Sequence, residues 1–222
     1  MFRKSIAAVV LIIGLNSAVF AVQSNLDESI ADLAHRWAKA SYQTPDNQKE
    51  ASFRDLIATA QQLTQNFPGK AEPLIWHAIV LSTAAKVNGG LGALGMAKDA
   101  RDLLLAAEKI NPASLDGSIY NSLGSLYAKV PGWPIGFGDK KKAREYFEKA
   151  LAINPKGIDI NYFYGDFLAD QGEYAKAAEH LKLALAATPR PGREDSDAGR
   201  REEITHLLET LKQKHGDQLA SK

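Results

Sequence analysis

Along most of the chain, apolar residues return every three or four positions. Ala143, Tyr146, Phe147, Ala150 and Leu151 stand at i, i+3, i+4, i+7 and i+8, the stripe by which a helix half-buries itself. Strands find no support in the pattern. Successive stripes stop ahead of Pro68, Pro112, Pro155 and Pro189, at intervals of 44, 43 and 34 residues. Proline has no N–H to offer and pushes its predecessor, here Asn111 or Asn154, out of the α region. The pattern predicts an all-α chain cut into units of similar length.

The units are copies of one another. Residues 85–112 laid over 128–155 give 12 identities in 28 positions, and 138–155 laid over 172–189 give eight in 18. Unrelated segments of this length and ordinary composition should share about two. Four units are expected, at about 26–68, 73–112, 117–155 and 158–189. Pro189-Arg190-Pro191-Gly192 reads as a hinge, and about 197–214 as a capping helix with Ile204, Leu207, Leu208 and Leu211 on its apolar face.

Tyr120, Leu123, Gly124 and Tyr127, followed by Ala143, Phe147, Ala150 and Pro155, resemble the signature of the tetratricopeptide repeat family. Gly165, Leu168, Ala177, Leu181, Ala184 and Pro189 repeat it in the fourth unit. Gly124 and Gly165 are positions where one helix must approach its neighbour closely. Unit two departs, with Leu81 and Ala84 at the glycine and tyrosine positions, and unit one keeps only the periodicity and Pro68. The resemblance implies a right-handed solenoid of helical hairpins that binds a protein or peptide partner and is not an enzyme. In that frame the concave face receives Ser118, Asn121 and Ser125 from unit three and Asp159, Tyr162 and Asp166 from unit four. This face is polar and mildly acidic. It suits a basic or neutral peptide, or a small solute reaching Trp133 and Tyr162, and lacks the lysine, asparagine and arginine set that clamps a chaperone's carboxylate tail. A solvated face without a ligand accounts for the same residues.

Units two and three carry an insertion between their paired helices. Tyr127 to Ala143 spans 16 positions where Leu168 to Ala177 spans nine, although helical hairpins ordinarily close in short turns. The inserts, 86–95 and 129–138, combine glycines with Leu91, Leu94, Trp133, Ile135 and Phe137. Two readings stand: the apolar groups plug a gap between repeats, or the two loops together line a ligand pocket. The run from Pro131 to Ala143 resembles a loop of the tetratricopeptide subgroups related to the T component of TRAP transporters and to regulator-of-microtubule-dynamics proteins. That resemblance implies a periplasmic accessory protein that assists a transporter's solute-binding protein.

The first residues, Met-Phe-Arg-Lys, precede an apolar run from Ile6 to Leu15 and a small-residue exit at Val19-Phe20-Ala21, the order of a secretory signal peptide. Asn16 and Ser17 break the run well short of the roughly 20 residues that a bilayer requires. Residues 1–21 are therefore expected to be a cleaved leader, and 22–222 the repeat domain of a periplasmic or secreted protein. The chain has no cysteine, so it has neither a disulfide nor the thiol of an N-terminal lipid anchor, and no stable membrane anchor is expected after cleavage. Its 27 basic and 26 acidic residues nearly cancel, which gives no bulk field for nucleic acid.

Signals for other chemistry are weak. Gly136-Phe137-Gly138 precedes a helix, but no strand comes before it and Asp139 is placed to cap that helix itself. The five histidines, His35, His77, His180, His206 and His215, include no i, i+4 pair, so no metal site is expected. No Gly-x-Ser-x-Gly nucleophile motif occurs. No cofactor is expected.

Overall fold

The prolines and caps place the breaks between helices. A computed structural model describes Gln23 and residues 25–219, so the expected leader and its cleavage point lie outside the described residues. Helix α1 covers 25–38 and passes into a π-helical segment, Lys39–Gln43. It is followed by α2 (Asp46–Asn66), α3 (Ala71–Asn88), α4 (Gly90–Ile110), α5 (Ser118–Lys129), α6 (Lys140–Ile153), α7 (Ile158–Asp170), α8 (Tyr174–Leu185) and α9 (Glu194–Leu219). Asn111 and Asn154 close α4 and α6 just ahead of Pro112 and Pro155. Asp139 starts α6, its carboxylate accepting from the Lys141 and Lys142 amides at 2.9 and 3.1 Å, the ordinary work of an N-cap aspartate.

Helices pair in sequence, α3 with α4, α5 with α6 and α7 with α8, and α3, α5 and α7 touch in turn. The result is an all-α, tetratricopeptide-like solenoid. One core cluster joins α1, α2 and α3 through Leu33, Trp37, Phe53, Leu56 and Trp76. A second runs on from α3 to α9. The close approaches expected at glycine are present. A Cβ on Gly124 would stand 2.9 Å from the Phe147 ring, and one on Gly165 would stand 2.9 Å from Leu181 Cγ.

Two expectations need correction. The inserts of units two and three do not form a matched pair of loops. In unit two the extra residues are helical, since α3 continues to Asn88 and α4 starts at Gly90 after a single break at Gly89 (φ 60°). In unit three they form a true loop between α5 and α6. The difference follows from composition: 129–138 contains Pro131 and Pro134 whereas 86–95 contains no proline, so only the former is barred from helix. The second correction concerns the final helix. α9 begins at Glu194 rather than about 197, and its backbone departs from helix at His215 (φ −137°, ψ 27°). Its apolar face packs as expected, with Ile204 and Leu211 buried and Leu207 and Leu208 against the core. Its first half is more than an end cap, because Ser196, Asp197 and Arg200 are buried too.

Candidate binding groove

One face of α7 carries Asp159, Tyr162, Phe163 and Asp166 at helical spacing. The hinge and the first half of α9 come down on it. Arg190 donates to Asp159 at 2.7 Å and to Asp197 at 2.8 and 2.5 Å. Arg200 donates through Nε to the other oxygen of Asp159 at 2.8 Å and through a terminal nitrogen to Glu203 at 2.5 Å. Its guanidinium also lies over the Tyr162 and Phe163 rings, at 4.4 and 4.5 Å. Burial works to raise the Asp159 pKa, but Arg200 and Arg190 outweigh it and hold the carboxyl well below the usual range. Burial likewise works against the charge of Arg200, and Asp159 more than offsets it. The pair is thus fully ionised at neutral pH.

The same helix reaches the first unit. Tyr42 packs its ring on Gly199, where a Cβ would stand 2.3 Å from the ring, and its hydroxyl reaches Glu203 at 3.4 Å. His35 lies 2.5 Å from Asp195, and the Arg193 guanidinium lies 5.0 Å from the Trp76 ring. α9 therefore reaches from α7 to α1, and Arg193, just ahead of it, reaches α3.

A cavity of about 430 Å³ is left between α7 and α9, lined by Tyr162, Asp166, Glu202, Glu203, His206 and Leu207. Burial and Glu203 push the Tyr162 phenol up to about 12 against the pull of Arg200, so it is a neutral donor at neutral pH. Lys129 pairs with Asp166 at 2.8 Å and with Asp170 at 2.6 Å at one edge.

The six residues expected on the concave face thus divide. Tyr162 and Asp166 face the cavity, whereas Asp159 is taken up by the two arginines. Ser118 and Ser125 direct their hydroxyls to the backbone carbonyls of Leu115 and Asn121, and Asn121 is buried. Arg200, Glu202 and Glu203 give no local sequence signal, because charges on a terminal helix read as solvated, and Arg190 falls in the stretch that reads as a hinge. The density of arginines from 190 to 201, opposite an aspartate on a predicted inner face, was the available signal.

Around the inserts, Trp133 is 90% exposed and Ile135 70% exposed. Neither plugs a gap between repeats. Phe137 turns inward, edge-on to Tyr127 with ring centroids 5.3 Å apart and under Arg101 at 4.6 Å. Leu91 and Leu94 lie in the first turns of α4. Leu94 still meets the unit-three loop, since a Cβ on Gly136 would stand 3.3 Å from its Cδ1.

The histidines are dispersed. His180 bonds Asn161 at 2.9 Å, His77 lies 3.4 Å from Thr64, and His215 stacks on Tyr174. Among the described residues no group of three metal-ligating side chains converges. A wider open groove of about 880 Å³ separates α8 from α9 and is lined by residues such as Leu183, Leu208 and Lys212.

A family model described as tetratricopeptide repeat matches residues 135–193, the stretch that holds α6, α7 and α8. No curated protein matches the sequence. The chain is similar in structure to a thermophilic TPR protein of Thermus thermophilus, at a TM-score of 0.55 and 15% identity, over 87% of this chain and 95% of that one. This is a likeness of fold. The Pseudomonas aeruginosa protein pilF superposes at a TM-score of only 0.34, with 15% identity over 88% of this chain and 96% of that one.

Proposed function

We propose that the protein is an exported, non-catalytic scaffold that binds a protein or peptide partner in the part of its inner groove left open between α7 and α9. The observation that carries this reading is the cavity itself. Asp166, Glu202 and Glu203 line it together with Tyr162; Lys129 pairs with Asp166 and Arg200 with Glu203, which leaves Glu202 as the carboxylate with no ion pair among the described residues. A lysine or arginine side chain of a partner fits both the volume and the sign. Exposed pairs of this kind contribute modestly one by one, so affinity would come from several contacts along the groove. Export rests on the leader-like first 21 residues. The association with a transporter's solute-binding protein rests on the resemblance of the unit-three loop. A pocket walled by two inserted loops is the weaker alternative, because the unit-two insert is helical.

The test is crosslinked capture from periplasmic extract with the native chain and with an Asp166→Asn, Glu202→Gln variant. One dominant partner, held about tenfold more weakly by the variant and released by salt, is the expected result. Undiminished capture by the variant would move the binding surface elsewhere.

A further inference from the structure

The loop between α5 and α6 presents five consecutive exposed residues, Pro131 to Ile135, with Trp133 and Ile135 the two most exposed large apolar side chains described. Trp37 and Trp76 are both buried, so the third tryptophan stands in contrast. The loop is held firmly at its base. The Gly138 amide donates to the Pro131 carbonyl and the Asp139 amide to the Tyr127 carbonyl, each at 2.9 Å, while Ile135 and Gly136 donate back to Gly132 at 3.1 Å. Val130 and Phe137, at its two ends, pack against the core. The apolar tip is therefore displayed by a rigid support, and water would otherwise cover it.

Behind the tip, residues 129–142 carry four lysines and one aspartate. The aspartate, Asp139, is engaged in capping α6, and Lys129 is paired with Asp166 and Asp170. Lys140, Lys141 and Lys142 are exposed and make no ion pair among the described residues. They stand just behind the tip: Lys140 donates to the Ala128 carbonyl at 2.5 Å, and Lys142 lies 5.5 Å from the Tyr127 ring. A projecting tryptophan and isoleucine backed by a collar of lysines without carboxylate partners among the described residues match the layering of a bilayer surface. Indole favours the headgroup boundary, and each ammonium gains from anionic phosphates. A protein pocket could also take a tryptophan, but it would not require the basic collar.

We propose that the α5–α6 loop is a membrane-surface docking element, inserting Trp133 and Ile135 among the headgroups of an anionic bilayer while Lys140, Lys141 and Lys142 engage the phosphates. The contact is peripheral, because two side chains at a loop tip reach no deeper than the headgroup boundary. It uses none of the residues of the α7–α9 cavity, and the two readings stand or fall separately.

The experiment is flotation of the protein with vesicles of phosphatidylethanolamine and phosphatidylglycerol, and with vesicles of phosphatidylcholine alone, while tryptophan emission is followed. The expected result is association with the anionic vesicles, a blue shift, and protection from acrylamide. A Trp133→Ser, Ile135→Ser variant, altered only at exposed positions, should keep its helical circular dichroism and lose both binding and shift. A Lys140→Gln, Lys141→Gln variant should bind anionic vesicles about an order of magnitude more weakly. Residues 1–21, if retained, are common to all three proteins. Equal flotation of the native protein and the Trp133→Ser, Ile135→Ser variant would overturn the proposal, as would indifference to lipid charge. Capture of a soluble protein through Trp133, with the vesicles ignored, would overturn it in favour of a protein partner.

Discussion

Gly199 lies face-on to the ring of Tyr42, so close that a Cβ at this glycine would stand 2.3 Å from the ring's Cγ. One residue belongs to the last helix and the other to the end of the first. Gly199→Ala should therefore destabilise the fold by about 2 kcal/mol through overpacking, or lift α9 from Tyr42. In a Tyr42→Ala background the same change should cost much less, because the clash is gone. Urea denaturation of the two single variants and the double variant measures the coupling, and additive losses would count against direct contact.

Asp159 sets the acid limit of the α9 clasp. Its folded pKa lies below the ordinary value of 3.8, so its contribution is complete above that pH and is lost as pH falls from about 4 toward the folded value. Native stability should drop over that window by an increment that Asp159→Asn lacks. At neutral pH the substitution should cost about 3 kcal/mol, since it leaves the buried Arg200 short of its main partner. Acrylamide quenching of the two buried tryptophans, Trp37 and Trp76, the latter packed under Arg193 of the same segment, reports the release. A Trp133→Phe background removes the exposed tryptophan's signal.

Asn161 is fully buried and donates through Nδ2 to the carbonyls of Pro155 and Gly157, both at 2.9 Å. Both protons of its amide are used, so its oxygen faces His180 as an acceptor, and His180 must present Nδ1–H. Burial lowers the His180 pKa, which keeps this neutral tautomer in place. Asn161→Ala should cost about 2 kcal/mol by leaving these groups unsatisfied. The His180 titration, followed by NMR, should move as well. An unchanged titration would mean the two side chains are not bonded in solution.

In the third hairpin a Cβ on Gly124 would stand 2.9 Å from the Phe147 ring. Gly124→Ala should destabilise by about 1–3 kcal/mol. Phe147→Leu, introduced second, should recover part of that loss by making room, and thermal denaturation decides between recovery and simple addition.

The hairpins were legible because proline stops and apolar stripes act within a single unit. Asp139 as a cap and Gly124 and Gly165 as contact points followed from the same local logic. The helical state of 86–95 was also within reach: similarity to 129–138 argued for a loop, but Pro131 and Pro134 have no counterparts there. The density of arginines from 190 to 201 marks the segment, but the burial of Asp197 and Arg200 in particular was not legible, since nothing nearby in sequence distinguishes a charge bound for solvent from one bound for Asp159. Long-range pairing of opposite charges has no period, so it leaves no pattern along the chain. Trp133 misled for a related reason: an apolar residue is ordinarily core, and only the rigid base of its loop explains why it stays outside.

A row of stacked units with two free ends can melt inward from either end, each unit answering only to its neighbours. The bond between Tyr42 and Glu203, with Gly199 beneath the same ring, removes that freedom, because the first unit and the last share a contact. Loosening either end must break the other's contact as well. The chain should consequently lose its structure in one concerted step where an open row would fray, and its terminal units should exchange their amide hydrogens almost as slowly as its middle ones.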